Sequence, residues 1–361
     1  MVADCTELFY RLIWVAIGKA DSLGTVPDKE EWEYLLEEAK RQTLVGVLYD
    51  ALHVLPKQEK PPTNVLLQWH VCADFVARRN RVVDDAVIWT SERFLKAGFR
   101  NVILKGQGNA LFYPHPEHRT SGDIDVWLEG DRKDILSYVL GMFPKQRVQW
   151  LEVEFPVRKD VVIEVHTAPS LLFSPFDNWR LQRFYTMHKN ECFGHHVEIG
   201  EGATCVPTME VNLVFQLTHI YRHLFFEGIG LRQLMDYYYL LQAEEAESCR
   251  GVVREMVGKL HMMKFCAALM WVMQSVFCLE NSRLIVQPDE REGRFLLDEI
   301  MLAGNFGHYD SRNKIARDAW GNFWQITRRN MRFLKHYPRE VLWNPPFRIA
   351  QFLWRKWNGY K

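Results

Sequence analysis

A surplus of charge of either sign is missing from this chain. Across 361 residues, 45 Lys and Arg face 45 Asp and Glu. Without a net basic field it lacks the whole-molecule footprint of a nucleic-acid or anionic-membrane binder. Closely paired cysteines are missing too. Cys5, Cys72, Cys192, Cys205, Cys249, Cys266 and Cys278 are odd in number and form no CxxC. That argues against a disulfide framework or a structural zinc site, and for reduced thiols in a reducing compartment. No run reaches the ~18 apolar residues that a membrane span needs. The segment "LIWVAIG" at 12–18 comes nearest to a secretory core, but Asp4 and Glu7 precede it and "KADSLG" follows. It reads as a buried helix instead. Internal repeats and low-complexity tracts are absent. The expectation is a cytoplasmic soluble protein without a transmembrane segment, long enough for two or three packed units.

What is present divides by hydrophobic period. Residues 1–95 read as helical. "WEYLLEEAKRQTLVGVLYDALHVL" (32–55) carries Leu35, Leu36, Ala39, Val45, Leu48, Tyr49 and Leu52 at helical spacing, ended by the polar turn "PKQEKPP". Residues 65–98 predict a second long helix with Gly98 at C′. Over 96–206 the period shortens. "RNVILKG" and "DIDVWL" predict strands around a short helix in "GNALFY", and "VQWLEVEF" and "DVVIEVH" form a hairpin around "PVRKD". From 207 to 361 the helical period returns, ending in a tail (311–361) with twelve Lys/Arg, two acids and five tryptophans. The fold class expected is α+β, a small mixed sheet flanked by helical regions on both sides.

In a strand, alternate side chains share a face, so Asp123 and Asp125 point one way and Ile124 and Val126 the other. The same alternation puts Val162, Glu164 and His166 on one face and Val161, Ile163 and Val165 on the other. One acid of the later strand can thus join the aspartate pair. Converging carboxylates suit Mg²⁺ (or Mn²⁺), which takes oxygen ligands and bridges them to substrate phosphates. The strand–glycine–helix step "ILKGQGNA" turns backbone N–H groups toward a phosphate. Lys105 and Arg119 add donors for a polyphosphate. It is no Walker A loop, because no GK[ST] follows, and Gly106-x-Gly108 is too short for a dinucleotide fingerprint.

The run "LKG…YP…R…GDID", then "IEVH", then "H…GLRQLMD", resembles the uncharacterised nucleotidyltransferase family found in bacteria, within the DNA polymerase beta-like nucleotidyltransferase superfamily. The likeness spans about residues 30 to 300, with its specific part between 103 and 166. It implies a metal-binding pair at Asp123 and Asp125, a third acid at Glu164, and a nucleotide-phosphate turn at Gly106 beside Lys105. Gln107, Arg119, Ser121 and Gly122 complete the nucleotide side. The activity implied is Mg²⁺-dependent transfer of an NMP group from an NTP, such as ATP, to a hydroxyl acceptor with release of pyrophosphate. The alternative is a degenerate fold that binds nucleotide or a protein partner. One departure is Gln107, where the wider superfamily carries Ser or Gly; another is the longer gap from Gly106 to Asp123.

Competing readings stand beside these. A DxD pair can be a solvated sheet edge whose acids pair with Arg119 and Lys105. His166 shares the Glu164 face, as ligand neighbour or as buried histidine. Glu152 and Glu154 alternate on the partner strand, but Glu164, between apolar neighbours, is the preferred third acid. His219 and His223 lie four apart, a zinc-compatible spacing without HExxH or a third ligand; packing histidines are preferred. Arg232 and Asp236 suit an intrahelical ion pair or a place beside the cleft. The tail reads as an amphipathic helix packed on the protein, with nucleic acid as the less favoured partner.

Overall fold

The computed structural model describes residues 2–307, 309–310, 312 and 319–360. Four helices open the chain: α1 Val2–Ala16, α2 Lys29–Arg41, α3 Val45–Val54 and α4 Thr63–Lys96. Helix α2 starts at a capping box. The Asp28 carboxylate accepts from the Glu31 N–H and the Glu31 carboxylate from the Asp28 N–H, both at 2.8 Å. Such caps contribute about 1 kcal/mol. The single helix expected over 32–55 is two. Thr43 adopts a left-handed φ of 55° between them, and the Gln42 side chain bonds Glu38 and the Leu231 N–H. The tertiary contact of Gln42 thus overrides a continuous helical pattern. Helix α4 ends as expected, with Gly98 at φ 87°.

The central part is β1 Asn101–Ile103, the single turn α5 Gln107–Ala110, β2 Ile124–Leu128, α6 Arg132–Met142, β3 Glu152–Glu154, β4 Ile163–His166, α7 Pro175–Cys192, β5 His196–Ile199 and β6 Gly202–Cys205. Strands β5 and β6 pair as a separate hairpin, while the four-stranded sheet runs β1-β2-β4-β3. Within it β2 and β4 are parallel and the outer pairs antiparallel. The hairpin β3–β4 is as expected. Helix α6, which supplies the crossover that a parallel β2–β4 pair requires, comes from a stretch the hydrophobic periods left unassigned.

One sheet face is apolar. Ile103, Ile124, Val126, Ile163 and Val165 pack with Val83, Val87 and Phe94 of α4 and Ile135 and Val139 of α6. The opposite face carries the polar side chains, with Glu152 3.6 Å from Arg222 of α8; the C-terminal helices are α8 Met209–Phe226, α9 Leu231–Gln242, α10 Ala246–Lys259, α11 Met263–Phe277, α12 Glu290–Ala303, α13 Ala319–Asn330 and α14 Pro338–Trp357. A larger core joins these helices to α1–α3 through Phe9, Trp32, Leu234, Tyr237 and Phe265. Together they form an α+β fold. Helices α10 and α11 are separated at His261, whose φ is 56°.

All seven cysteines are free. Among the described residues, no helix is long and apolar enough to cross a membrane. In the basic tail, residues 311, 313–318 and 361 and the side chains of Ala319, Trp320 and Asn322 lie outside the described part. The expected packing of the tail's amphipathic helix holds only in part: Val341 is buried, while Ile349, Phe352, Leu353 and Trp357 of α14 are exposed. Trp354 of α14 meets Trp150 at 5.3 Å and lies 4.1 Å from the Arg132 guanidinium. The Glu340 carboxylate accepts from the Phe173 N–H at 2.6 Å.

Candidate active site

Parallel register places Asp125 of β2 directly beside Glu164 of β4, and Trp127 beside His166. Antiparallel register then sets Glu152 of β3 against His166. The alternation expected from the sequence is what brings these side chains together on the non-core face. Asp123 precedes β2 by one residue, at the mouth of the same face. Asp125, Glu164 and His166 each offer one ligand atom within 4.8 Å of the others, the one such group among the described residues.

Cations hold this cluster together. The Lys105 ammonium lies 2.9 Å from Asp125 Oδ2 and 3.7 Å from Asp123 Oδ1. His166 Nε2 donates to Asp125 Oδ1 at 2.8 Å and is 3.7 Å from Glu152 and 3.9 Å from Glu164. Burial alone would favour neutral forms. For Asp125 that effect is outweighed by Lys105 and His166, which hold its pKa below the usual carboxylate range. For Lys105, burial is outweighed by Asp123 and Asp125, which push it up. His166 is likewise buried, yet Asp125 and Glu164 raise it to about 10. Glu164 moves upward because burial outweighs its bond to His166. Asp125 is 3% exposed, so it is not on a solvated edge.

The structure separates Arg119 from the acid pair. Its Nε and Nη2 donate to both oxygens of Asp236, each at 2.7 Å, and Tyr113 donates to Asp236 Oδ1 at 2.7 Å. Asp236 is thus taken by Arg119 from another segment. Arg232 Nη1 donates to the Thr120 carbonyl at 3.0 Å. Two side chains of α9 therefore pin the loop that leads into Gly122 and Asp123. Residues Arg232 and Asp236 do border the cleft, which Lys105, Gly106, Gly122, Asp123 and His219 also line.

The remaining sequence candidates fall in different places. Gly106 takes φ 63°, which only glycine adopts freely, and turns the chain from β1 into α5. The Gln107 side chain points away, donating to Asp84 and, at 3.3 Å, to Asn80 of α4. Ser121 has a buried Oγ without a hydrogen-bond partner. Gly122 leaves room for Arg232, whose Nη1 would stand 3.7 Å from a Cβ there. The rings of His219 and His223 on α8 meet at 4.3 Å, tilted by 59°, and burial lowers both pKa values. They belong to no metal-compatible group among the described residues.

Glu152 also borders the cluster, although the metal-compatible group contains Glu164 rather than Glu152. Its side chain is 12% exposed, against 29% for Glu164, and it lies 3.6 Å from Arg222. Glu154 is exposed. The antiparallel register of the hairpin puts Glu152 level with His166.

Asp125, Glu164 and His166 could hold a metal ion. Carboxylates from Asp123, Asp125, Glu152 and Glu164 face one region, and Glu152 Oε2 is buried without a hydrogen bond. His166 already orients Asp125 through one oxygen, as outer partners of metal ligands do.

Residues 28–278 match the model of a family described as uncharacterised nucleotidyltransferase. Among curated proteins no match was found. Among solved structures, the chain is similar to an antigenic nucleotidyltransferase-like protein from Paracoccidioides brasiliensis. The identity is 12% and the TM-score 0.32, covering 62% of this chain and 98% of that one.

Proposed function

Since this chain belongs to the family of uncharacterised nucleotidyltransferases, we propose that it moves a nucleoside monophosphate from an NTP to a hydroxyl acceptor, releasing pyrophosphate, with Mg²⁺ as cofactor. The observation that carries this reading is the register pairing of Asp125 with Glu164, with Asp123 at the mouth of the same face. Asp123, Asp125 and Glu164 would hold the ion. A divalent ion held there would supply charge stabilisation and Lewis acidity.

The chain's own groups do the rest. Lys105 and Arg232 line the cleft at the Gly106 turn, where they bind and orient the triphosphate. Glu164, beside Asp125 in the strand register, takes the acceptor's proton at a carboxylate oxygen. His166 holds Asp125 in place through Oδ1. Arg119, locked on Asp236, serves the nucleotide side by positioning the loop.

The test is pyrophosphate release across a panel of NTPs and hydroxyl acceptors with Mg²⁺, using wild type, Asp123→Asn and Asp125→Asn. Turnover in wild type and its loss by about a hundredfold or more in both variants is expected, with circular dichroism showing that both stay folded. Undiminished turnover in the two variants would refute the assignment. NTP binding without turnover, and without dependence on Mg²⁺, would mark the chain as the nucleotide-binding module of the alternative reading.

A further inference from the structure

We propose that Lys105 is an exchangeable internal counter-cation. Its ammonium holds the position of the divalent ion between Asp123 and Asp125, so that the ion enters productively only with a polyphosphate that receives the ammonium. This deepens the functional reading above and rests on it.

The argument begins with the two oxygens of Asp125. Oδ1 already accepts from His166 at 2.8 Å, which makes Oδ2 the more available oxygen for a metal. Oδ2 is the atom that Lys105 approaches to 2.9 Å, while the same ammonium lies 3.7 Å from Asp123 Oδ1. An ion bridging these two aspartates and the Lys105 ammonium therefore exclude each other. Asp125 is buried, and leaving its charge without a cation is costly. The lysine thus has no reason to leave until another cation arrives.

The displaced ammonium must then find an anion. Its stem is flexible and its head a compact charge, but its side chain is only 14% exposed. The cleft beside it presents Arg119 and Arg232 as well as Asp236, and Asp236 is already held by Arg119 at both oxygens. A metal ion entering alone would push the ammonium toward these guanidinium groups. A polyphosphate entering with the ion supplies the missing negative charge at the Gly106 turn. Both exchanges then take place together, and each ligand raises the affinity for the other.

The probes are Mn²⁺ and inorganic tripolyphosphate, followed by equilibrium dialysis with the full chain. Wild type should bind Mn²⁺ weakly alone and at least about tenfold more tightly with tripolyphosphate. Lys105→Met should bind Mn²⁺ alone at least about tenfold more tightly than wild type, with a gain from tripolyphosphate below about threefold. Asp125→Asn should lose Mn²⁺ under both conditions. The wild-type arm stands even if Lys105→Met fails to fold, and Lys105→Gln then replaces it. Equal Mn²⁺ affinity in wild type and Lys105→Met overturns the proposal. So do a wild-type affinity indifferent to tripolyphosphate and the absence of Mn²⁺ binding in both proteins. Turnover of an NTP with equal metal binding sinks the exchange and keeps the functional reading. The tenfold pattern without turnover of any NTP supports the exchange and sinks that reading.

Discussion

Replacing Asp236 by Ala should be among the most damaging single changes in the chain, although it touches no proposed metal ligand. Arg119 and Asp236 are joined by two bonds of 2.7 Å, with Tyr113 adding a third on Asp236. Their side chains are 3% and 6% exposed. At an effective dielectric of about 20, charges 2.7 Å apart attract by about 6 kcal/mol. The cost of withdrawing both ions from water is of the same size, so the pair itself contributes little net stability. Removing one partner is another matter. Asp236→Ala strands the Arg119 guanidinium beside Arg232, whose pKa is already lowered by burial and by Arg119. The expected loss is about 3–5 kcal/mol, read by urea denaturation. Tyr113→Phe, which removes one donor from a satisfied carboxylate, should cost about 1–2 kcal/mol. The double variant Arg119→Met/Asp236→Leu should be less destabilised than Asp236→Ala, because the Arg119 charge leaves with its partner and only Arg232 loses a nearby anion. A loss below about 1 kcal/mol for Asp236→Ala would refute the argument.

Two further outcomes follow from other contacts. His166, raised to about 10 in the folded chain from an unfolded value near 6.5, binds its proton more tightly when folded. Its contribution is complete below pH 6.5 and is lost as pH rises through about 10, so metal-free wild type should lose thermal stability across that window and His166→Asn should lose less. Parallel pH profiles for the two proteins would contradict this. In α3, a Cβ on Gly46 would stand 2.2 Å from the His118 carbonyl oxygen, so Gly46→Ala should cost about 1–3 kcal/mol. Urea midpoints indistinguishable from wild type would show that the 115–122 loop yields freely there.

The acid cluster was legible because strand geometry is strictly periodic. Once "DIDVWL" and "IEVH" are strands, Asp125, Glu164 and His166 must face one side, and neighbouring strands bring them into range. Helix ends were legible where local chemistry marks them, as at Asp28 and Gly98. They were hidden where a tertiary contact imposes a left-handed residue without glycine, as at Thr43. Arg119 shows the same limit more sharply. An arginine four residues before Asp123 reads as a donor for that site, and its true partner lies 117 residues away. Spacing along one helix likewise suggests Asp236 for Arg232. Nothing local reveals that an outside guanidinium has taken the carboxylate with two bonds.

The contrast between Arg119 and Lys105 then says how one cleft can be both rigid and responsive. Arg119 meets both oxygens of its carboxylate in a planar fork, and Tyr113 saturates the pair further, so no ligand can replace it without stranding buried charge. Lys105 meets Asp125 at one oxygen only, at 2.9 Å, and shares itself with Asp123 at 3.7 Å. A divalent ion held by Asp123 and Asp125, as proposed above, would bring twice the charge to the same two carboxylates. A fork-shaped cation at 105 would gain bonds to the aspartates and resist that replacement. The difference between an arginine forked on both oxygens of Asp236 and a lysine on one oxygen of Asp125 is therefore the chemical basis of the proposed exchange. Lys105→Arg should hold the acid cluster at least as well as wild type and give up its place to Mn²⁺ less readily.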